Sequence, residues 1–406
     1  MAEGCELYES IAEIPPDVWN AARSATPSCF TDPAFLRAVE GGLPERTRVF
    51  HAVVRDEHGN PAACASLCLM AVDLLLLAGP RVQRVARLAR RLLPGLGMLR
   101  VLFCGLPVSS GQSQIGFAPG ADRKRAIEKL DSLLQTLARQ ERAKVVVYKE
   151  FSDGDCRDLD GLVDRGYMRT ESRPTYEMTH RFADFDAYCS SLKSHYRNDV
   201  RRSQKKFDRA GCSVAHLTNP DVILNEYTPE VHRLYEAVVA KSQVKLEILP
   251  IQFFRELVKY YAGRISLTAI YRDDRIVAFN WGLDASPVYI FLFCGVDYEK
   301  NAEADLYFNL MYHQLDHAFR RGAKRVQFGQ TADAFKTRIG GGGRPLNLYV
   351  QPRGWFFARV IQFTQRFLFP PSPVLETHDV FKEAPATTKA NRNRKGHEAA
   401  AKAHAV

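Results

Sequence analysis

The sequence predicts an α/β protein in which two similar units each carry a mixed, α+β type of sheet flanked by helices. The chain has 406 residues, more than a single hydrophobic core usually organises. Apolar strand-like runs alternate with runs of helical period along its length. A strand–turn–strand pattern over 53–69 is repeated over 267–283. We therefore expect domains over 1–173 and 174–370, followed by a disordered basic tail over 371–406.

The composition excludes several classes of protein. Hydrophobic residues make up 46% and charged residues 25%, which is ordinary for a globular protein and unlike collagen, a coiled coil or a disordered chain. The longest apolar stretch, 67–79, contains Asp73 and is thirteen residues long, whereas a membrane-spanning helix needs roughly 20. The first ten residues lack the basic and then apolar pattern of a secretory signal. The sequence thus predicts a cytoplasmic protein without a transmembrane segment.

The charge favours an anionic partner. A formal net charge of +10 is typical of proteins that bind nucleic acid, phosphorylated cofactors or an acidic membrane surface. Part of the excess lies in the basic end of the chain. Charge alone does not choose among these partners.

Cysteine and histidine patterns do not predict a metal site. The nine cysteines lack paired C-x-x-C spacing, so we expect reduced thiols in the core. His313 and His317 share one side of a predicted helix, as zinc-binding H-E-x-x-H helices require, but the glutamate is absent and no third ligand is evident. The glycine run 340–343 lacks the lysine and hydroxyl of a P-loop and fits a helix end.

The first half reads as alternating strands and helices. A turn at 58–60 separates two β-rich runs, and basic residues surround an apolar line over 81–93, as in an amphipathic helix. The predicted elements are a helix over 16–42, strands over 48–55 and 62–69, a helix over 81–93, a strand over 99–104, a polar loop over 105–116, a helix over 123–142 and a strand over 144–148.

The second half repeats the alternation. Its predicted elements are a strand over 175–180, a helix over 185–210, strands over 265–271, 276–282 and 288–294, a helix from about 303, a strand over 325–328, and a helix from about 331 that ends at 340. The aromatic and basic segment 355–369 predicts a packing helix, with a membrane-surface helix as the alternative.

The stretch 288–350 resembles a known superfamily. Its order of strand, turn, helix, strand and helix, ending in ADAFKTRIGG, is similar to the acyl-CoA-binding half of GNAT acyltransferases, whose second helix commonly reads N-x-x-A-x-x-L-Y-x-x-x-G-F. Ala332 and Gly340 fall on that pattern, and Lys336 stands in place of the tyrosine. A lysine there, after a strand ending in QFG at 327–329, resembles the "DFG … YKFKKGFG" segment of FemAB-like aminoacyltransferases and their acetyltransferase relatives, the cellulose-biosynthesis type included.

A second match lies upstream. The run 192–211, LKSHYRNDVRRSQKKFDRAG, resembles the "LSKKRRKNIRRAERRLEEEG" type of helix that opens the second domain in the same relatives. The resemblance covers 175–350 and extends to the first half through a tandem fold. It implies two tandem GNAT-like domains, the second of which transfers an acyl group.

The resemblance also implies how a donor binds. Two neighbouring strands splay apart, an acyl-pantetheine arm inserts between them, and the pyrophosphate rests on a helix N-terminus. Acyl-CoA is the implied co-substrate, with an acyl-carrier protein as a further donor, and no metal is implied. The implied cofactor-binding residues are Asn301, Ala302, Phe328 and Gly329. Three acidic residues at the same helix start weaken the case for a CoA donor: Glu299, Glu303 and Asp305.

Four residues are catalytic candidates. Lys336 could stabilise the oxyanion of a tetrahedral intermediate or hold a substrate phosphate or carboxylate; the alternative is an ordinary surface lysine. Asp297 is the first candidate for the base that keeps the attacking amine neutral, although it also suits a turn at a strand end. Glu247 and Tyr307 are further candidates for that base.

The helix near 193–209 carries a candidate substrate-binding face. Arg197, Arg201 and Lys205 recur every four residues along one side. Such a face could bind a nucleotide, a phosphopantetheine-bearing carrier protein or the acceptor end of a tRNA, or it could simply face solvent.

Taken together, these patterns predict an N-acyltransferase. It would move an acetyl or longer acyl group from a thioester to the amine of a small-molecule or lipid-linked substrate by direct attack. The alternatives are a Fem-type transferase that moves an amino acid from aminoacyl-tRNA to a cell-wall precursor, and a non-catalytic scaffold that binds an anionic partner through its basic helix.

Overall fold

The structure is a computed structural model that describes residues 3–44, 47–73, 88, 90, 97–108, 111–180, 182–241, 248–330, 333–354, 359 and 378–382. Of the residues that the sequence analysis singled out, Glu247 and Ala332 lie outside the described residues. The same holds for most of the helices predicted over 81–93 and 355–369.

The first half contains strands and helices in nearly the predicted order. Its strands are β1 (Cys5–Tyr8), β2 (Arg48–Arg55), β3 (Pro61–Asp73), β4 (Met98–Cys104), β5 (Ile115–Phe117), β6 (Val145–Ser152) and β7 (Met168–Thr179). Its helices are α1 (Pro16–Arg23), α2 (Pro33–Gly42), α3 (Arg123–Gln140), α4 (Asp153–Leu159) and α5 (Gly161–Asp164), with short 3-10 turns at Ile11–Glu13 and Cys29–Thr31.

The second half follows the same alternation. Its helices are α6 (Phe185–Ser191), α7 (Ser194–Arg209), α8 (Pro220–Glu226), α9 (Pro229–Lys241), α10 (Ile251–Tyr260), α11 (Tyr298–Ala304), α12 (Leu306–Arg320) and α13 (Asp333–Arg338). Its strands are β8 (Ser213–Leu217), β9 (Ile265–Arg272), β10 (Arg275–Ala285), β11 (Val288–Val296), β12 (Arg325–Gly329) and β13 (Gly342–Pro352).

Within the described residues, all thirteen strands belong to one mixed sheet. Its order is β1-β2-β3-β4-β6-β13-β7-β12-β11-β10-β9-β8, with β5 paired to β3 outside this path. The pairs β4–β6 and β11–β12 are parallel, and each encloses a helical crossover. The mixed α/β architecture predicted from the sequence is confirmed. The predicted division at 173/174 falls inside β7, and this division stays a prediction.

The last strand joins the two halves. β13 lies between β6 and β7 and pairs antiparallel with both. A segment at the end of the second half thus completes the sheet of the first half, so the two halves share one continuous ladder of hydrogen bonds.

Local signals explain why two predicted helices are each divided. The predicted helix over 16–42 becomes α1 and α2 because Asp32 caps the second helix and Pro33 begins it; proline has no N–H with which to continue a preceding helix. The predicted helix over 185–210 becomes α6 and α7, since the backbone at Leu192 is extended and the Lys193 N–H donates to the Val380 carbonyl.

A shared hydrophobic core connects the halves. Phe35, Leu36 and Val39 of α2 pack in the same cluster as Phe253 and Leu257 of α10. A Cβ atom on Gly42 would lie 2.2 Å from the Cα of Phe253, so only glycine permits this approach of the two helices.

A short segment of the predicted disordered tail is packed against the second half. Val380 and Phe381 are buried, and Phe381 forms a β-bridge with Leu192. A Cβ atom on Gly340 would lie 2.5 Å from the Phe381 ring. For residues 378–382 the prediction of disorder is therefore wrong, because two apolar side chains anchor an otherwise polar stretch.

Candidate active site

The candidate site lies where β11 and β12 separate. These strands pair from Val288 with Arg325 to Ile290 with Gln327, and the register ends there although both strands continue. On its other side β11 has a β-bulge, where Leu292 and Phe293 lie opposite the single residue Trp281 of β10. Bulges bend a strand and redirect its side chains, and they are frequent beside active sites. The parallel ladder therefore ends inside both strands, and the Phe291 and Phe328 rings pack against each other just beyond it, with centroids 5.2 Å apart.

Lys336 lies at the open end of β12. It is 3% exposed, so it is not the surface lysine that formed the alternative prediction. Its Nζ donates to the carbonyl oxygens of Gly329, at 3.1 Å, and Gln330, at 2.5 Å, and lies 5.9 Å from the centroid of the Tyr176 ring. The motif lysine and the strand end Phe328–Gly329 are thus brought together, as the resemblance implied.

Cys294 of β11 lies near the charge of Lys336, and Tyr307 of α12 lies near Cys294. Burial raises the pKa of the half-buried Cys294 thiol to about 11, and the ammonium of Lys336 opposes this rise. Burial also raises the pKa of Tyr307 strongly, and the nearby Cys294 and Tyr298 raise it further. The Tyr307 phenol is consequently protonated at neutral pH and can donate a proton.

Asp297 is the N-cap of α11. Its carboxylate accepts hydrogen bonds from the backbone N–H groups of Glu299, at 3.0 Å, and Lys300, at 3.4 Å, and forms an ion pair with the Lys300 side chain at 3.2 Å. These contacts give the residue a structural role at the strand end. These contacts of the Asp297 carboxylate are with Glu299 and Lys300, and none of them is with Lys336.

The proposed pyrophosphate region contains paired acids. The Asn301 side chain accepts a hydrogen bond from the Tyr307 N–H, and Ala302 is exposed. Asp305 pairs with Lys206 at 3.0 Å and Glu303 pairs with Arg272 at 2.7 Å. These cations offset the negative charge that the sequence alone placed here.

A pocket of about 500 Å³ lies between α7, α12 and α13. Aromatic rings form much of its wall, and the Asp199 carboxylate binds Arg338 at 2.6 Å and Arg202 at 2.8 Å. Its lining residues are Tyr188, Leu192, Tyr196, Asp199, Val200, Arg202, Ser203, Asp305, Phe308, Tyr312, Phe335, Arg338 and Ile339. Phe335 also contacts Tyr307, with ring centroids 5.2 Å apart.

The predicted substrate-binding cations lie on a different face of α7. Arg201 and Lys205 are exposed, Arg197 is half-buried, and none of the three lines the pocket. Sequence reasoning missed the pocket face, which carries Tyr196, Asp199 and Ser203. Their spacing of three and four residues was the available signal, but the charged side of the helix hid it.

The two predicted helix histidines belong to a histidine cluster. His216 of β8 stacks on His317, with ring centroids 4.7 Å apart, and its Nδ1 lies 2.9 Å from the Thr268 hydroxyl. Burial, together with the neighbouring His216, lowers the pKa of His313 and of His317 to about 4. Within the described residues no group of three or more His, Cys, Asp or Glu side chains could hold a metal ion.

No helix in the described part of the chain is both long and apolar enough to cross a bilayer.

Comparisons with known proteins agree with this architecture. Residues 194–337 match the family described as the acetyltransferase (GNAT) domain. Among curated protein sequences, none is significantly similar to this chain.

The structure also resembles solved structures. FemX superposes with a TM-score of 0.51 at 12% sequence identity, over 86% of this chain and 96% of FemX. A tandem GNAT protein from the clavulanic acid biosynthesis pathway gives 0.49 at 14% identity, over 86% of this chain and 99% of that one. L-PGS from Bacillus licheniformis gives 0.48 at 12% identity, over 87% and 97%. At these identities the likeness concerns the fold, and the FemX superposition carries it.

Proposed function

We propose that this chain, whose fold is that of the GNAT superfamily and resembles FemX, is an N-acyltransferase that uses an acyl thioester and an amine. The observation that carries the proposal is the early end of the β11–β12 ladder beside the buried Lys336. An extended acyl-pantetheine arm needs a gap between strands, and the reaction needs positive charge near the carbonyl. Both features meet at this place.

The reaction we propose is a direct transfer. The amine nitrogen attacks the thioester carbonyl carbon, the oxyanion of the tetrahedral intermediate is stabilised by the positive charge of Lys336, and the C–S bond breaks as the amide forms. The amine loses one proton and the departing thiolate gains one. Tyr307 is our candidate donor of that proton, because it lies near Cys294 on the part of β11 beyond its pairing with β12 and a tyrosine is protonated at neutral pH.

The remaining predicted residues have secondary roles in this proposal. Asp297 is the candidate base for the amine, although its carboxylate already caps α11. Asn301 and Ala302 begin the region where a donor pyrophosphate would lie. The cations Lys206 and Arg272 reduce the negative charge of that region through their ion pairs. Phe328 and Gly329 form the wall of the opening on the β12 side.

Release of free thiol tests the proposal. The full chain is incubated with acetyl-CoA and longer acyl-CoAs together with a mixture of small and lipid-linked amines, and free thiol and amide are followed together. We expect thiol release that depends on the amine, and a loss of about 100-fold or more in Lys336→Met, as when a group that stabilises an oxyanion is removed. Lys124→Met, which changes an exposed lysine of α3, is the matched control and should retain full activity.

Donor binding can be measured without turnover. Cys294 lies on the part of β11 beyond its pairing with β12 and is half-buried. We expect acyl-CoA to slow its alkylation by iodoacetamide, read by peptide mass spectrometry, while Cys212, also half-buried, reacts at an unchanged rate. Equal rates with and without every acyl-CoA would exclude a thioester in the opening.

The cations of α7 support a second donor. Arg197, Arg201 and Lys205 present a basic face of the kind that binds a phosphate backbone. In this alternative the ester of an aminoacyl-tRNA replaces the thioester, and a cell-wall precursor supplies the amine. Transfer of a labelled amino acid from charged tRNA, lost in Arg201→Ala/Lys205→Ala, would favour it over acyl-CoA. Binding of tRNA without any transfer, and no turnover of a thioester, would favour the non-catalytic scaffold.

A further inference from the structure

The end of β12 is held from the first half of the chain at two points. The Gln112 side chain donates from Nε2 to Oε1 of Gln327 at 2.8 Å. The Gln330 side chain donates from Nε2 to Oε1 of Glu150 at 3.2 Å and to the Arg173 carbonyl at 2.8 Å. These two contacts lie on either side of Gly329, where β12 ends and where the ammonium of Lys336 is bound. The first half therefore contacts one wall of the proposed active site directly.

Glu150 occupies an unusual place in the sheet. Lys149 and Glu150 of β6 lie together opposite the single residue Leu348 of β13, which makes a β-bulge in the middle of the sheet. The φ angle of Glu150 is +61°, a left-handed conformation that a side chain other than glycine adopts at a cost of about 1–3 kcal/mol. Glu150 is 6% exposed, and its Oε2 forms an ion pair of 2.6 Å with Lys149. A strained, charged residue deep in a sheet is expected where its position serves a purpose.

A continuous set of contacts runs from Glu150 to Lys336. The two carboxylate oxygens of Glu150 are divided between the two halves: Oε2 binds Lys149, and Oε1 accepts from the side chain of Gln330. The backbone carbonyl of that same Gln330 accepts from Nζ of Lys336 at 2.5 Å. Fixing the Gln330 side chain at Glu150 and at the Arg173 carbonyl therefore also fixes the direction of the carbonyl that holds the ammonium.

We infer that Glu150 is a positioning residue for the acyl-transfer site of the second half and acts on Lys336 through Gln330. The inference rests on the proposed function for its catalytic consequence, but the positioning itself does not need turnover. A cation stabilises an oxyanion only if it is held close to the productive geometry, and misplacement by about 1 Å can cost on the order of 100-fold in rate. The first half thus contributes to the reaction without touching the reacting atoms.

The thiol of Cys294 reports the place of the ammonium. Its neighbours from the surrounding elements are Lys336 of α13, Tyr307 of α12 and Tyr298 of α11, and among these only the lysine lowers the thiol pKa. The rate at which iodoacetamide alkylates Cys294 between about pH 7 and pH 9, below the ordinary lysine pKa of about 10.4, therefore measures how close the charge is when it is read as a pH profile by peptide mass spectrometry. Lys336→Met removes the ammonium altogether, so its shift of the Cys294 profile is the reference for complete loss of the charge.

Three variants test the contact set. Gln330→Leu removes the link and keeps the Lys149–Glu150 pair, whereas Lys149→Met/Glu150→Met removes both buried charges and the oxygen that accepts from Gln330. Gln112→Leu, which cuts the other contact between the halves, is the matched control. We expect the reactivity profile of Cys294 to move to higher pH in the first two variants, by at least half of the shift in Lys336→Met, and to remain in place in Gln112→Leu.

Several outcomes would overturn the inference. One is an unchanged Cys294 profile in Gln330→Leu and in the double variant while both remain folded by circular dichroism and thermal unfolding. Another is an unchanged profile in Lys336→Met, because the charge would then not lie where the contact set ends. A variant that does not fold is replaced by Gln330→Asn, which keeps the amide but shortens its reach and should give the same direction of shift.

Turnover separates this inference from the proposed function. If the enzyme transfers acyl groups, Gln330→Leu should lower kcat about 10-fold or more with an unchanged KM for the donor, since a misplaced cation weakens the transition state and not donor binding. If no thioester is turned over, the proposed function fails, whereas the shift of the Cys294 profile still decides whether Glu150 positions Lys336.

Discussion

The two parallel strand pairs of the molecule, β4 with β6 and β11 with β12, are built alike and end differently. The β4–β6 pairing ends at Cys104, the last residue of β4, and only β6 continues, whereas both β11 and β12 continue beyond the end of their pairing; a buried lysine follows each of these points. In the first half the lysine is Lys149, whose charge is met by the carboxylate of Glu150. In the second half it is Lys336, whose ammonium donates to the backbone carbonyls of Gly329 and Gln330. In our proposal the first pair serves the structure and the second serves acyl transfer.

The space beyond each pair also differs. In the first half, the Gln114 side chain lies against Gly105 at the end of β4, and a Cβ atom there would be 3.1 Å from Gln114 and 3.4 Å from Lys149. In the second half, the corresponding place lies between a bulged β11 and the short β12, beside Cys294 and Lys336. A repeated fold can therefore keep one opening for a ligand and fill the other with its own side chains.

The largest effect we expect separates the two lysines. Lys149→Met leaves the Glu150 carboxylate buried without its cation and should lower the free energy of unfolding by about 3–5 kcal/mol. Lys336→Met removes hydrogen bonds to two carbonyls and should cost about 1–3 kcal/mol, while its effect on acyl transfer is the larger one. Urea unfolding followed by circular dichroism measures both.

The double variant Lys149→Met/Glu150→Gln controls this comparison, because it removes the unpaired charge and should recover most of the loss. If Lys149→Met were as stable as the original chain, the assignment of the first pair to structure would be wrong.

A smaller effect concerns the crossover helices. α12 of the second half packs His313 and His317 beside His216, whereas the sequence of α3 in the first half contains no histidine. The folded-state pKa of His313 and of His317, about 4, is below the ordinary value of about 6.5. The unfolded chain therefore takes up protons first, and stability present above pH 6.5 is lost as the pH falls towards 4.

We expect the free energy of unfolding to fall by up to about 1.4 kcal/mol per pH unit for each such histidine in this window. Urea midpoints between pH 7 and pH 4.5 measure the slope, and His313→Gln/His317→Gln should reduce it. Amide exchange should show that α12 loses protection at a higher pH than α3. Equal slopes in the original chain and the variant would contradict this explanation.

The smallest effect tests the two helix caps. Asp122 accepts from the Arg125 N–H at the start of α3, and Asp297 accepts from the Glu299 N–H at the start of α11. Replacing either with alanine should cost about 1 kcal/mol of stability. If Asp297 is only a cap, both variants retain acyl transfer. A rate loss confined to Asp297→Ala would instead make it the base, and comparing kcat for the two variants decides between these roles.

Much of the fold could be predicted from local patterns. The strands over 48–55, 99–104 and 325–328 were predicted within a few residues, because each is a short apolar run bounded by turn residues. Helix divisions were missed at Asp32–Pro33 and at Leu192–Lys193. The first had a local signal in the proline, whereas the second depends on a backbone contact with Val380, which lies far away in the sequence.

The candidate site was predictable only in part. The resemblance to known motifs singled out both Lys336 and Gly329. In the structure the Lys336 ammonium donates a hydrogen bond to the Gly329 carbonyl. The tandem division, the role of Asp297 and the substrate face of α7 stay predictions. Cys294 and Glu150 were missed, since a lone cysteine and a Lys-Glu pair at a strand end carry no pattern that distinguishes them from ordinary residues.

The sequence by itself determined the alternation of strands and helices, the absence of a long apolar span, and the motif that contains Lys336, because periodicity and composition act over short stretches of chain. The tertiary structure alone decided where the charges matter. β13 returns to pair between β6 and β7, far from both in the sequence. Glu150 contacts Gln330, which lies 180 positions further along the chain. Burial and neighbouring charge depend on such long-range pairing, so no local pattern could show that Lys149 pairs with a buried carboxylate and that the buried Lys336 binds the carbonyls at the end of β12.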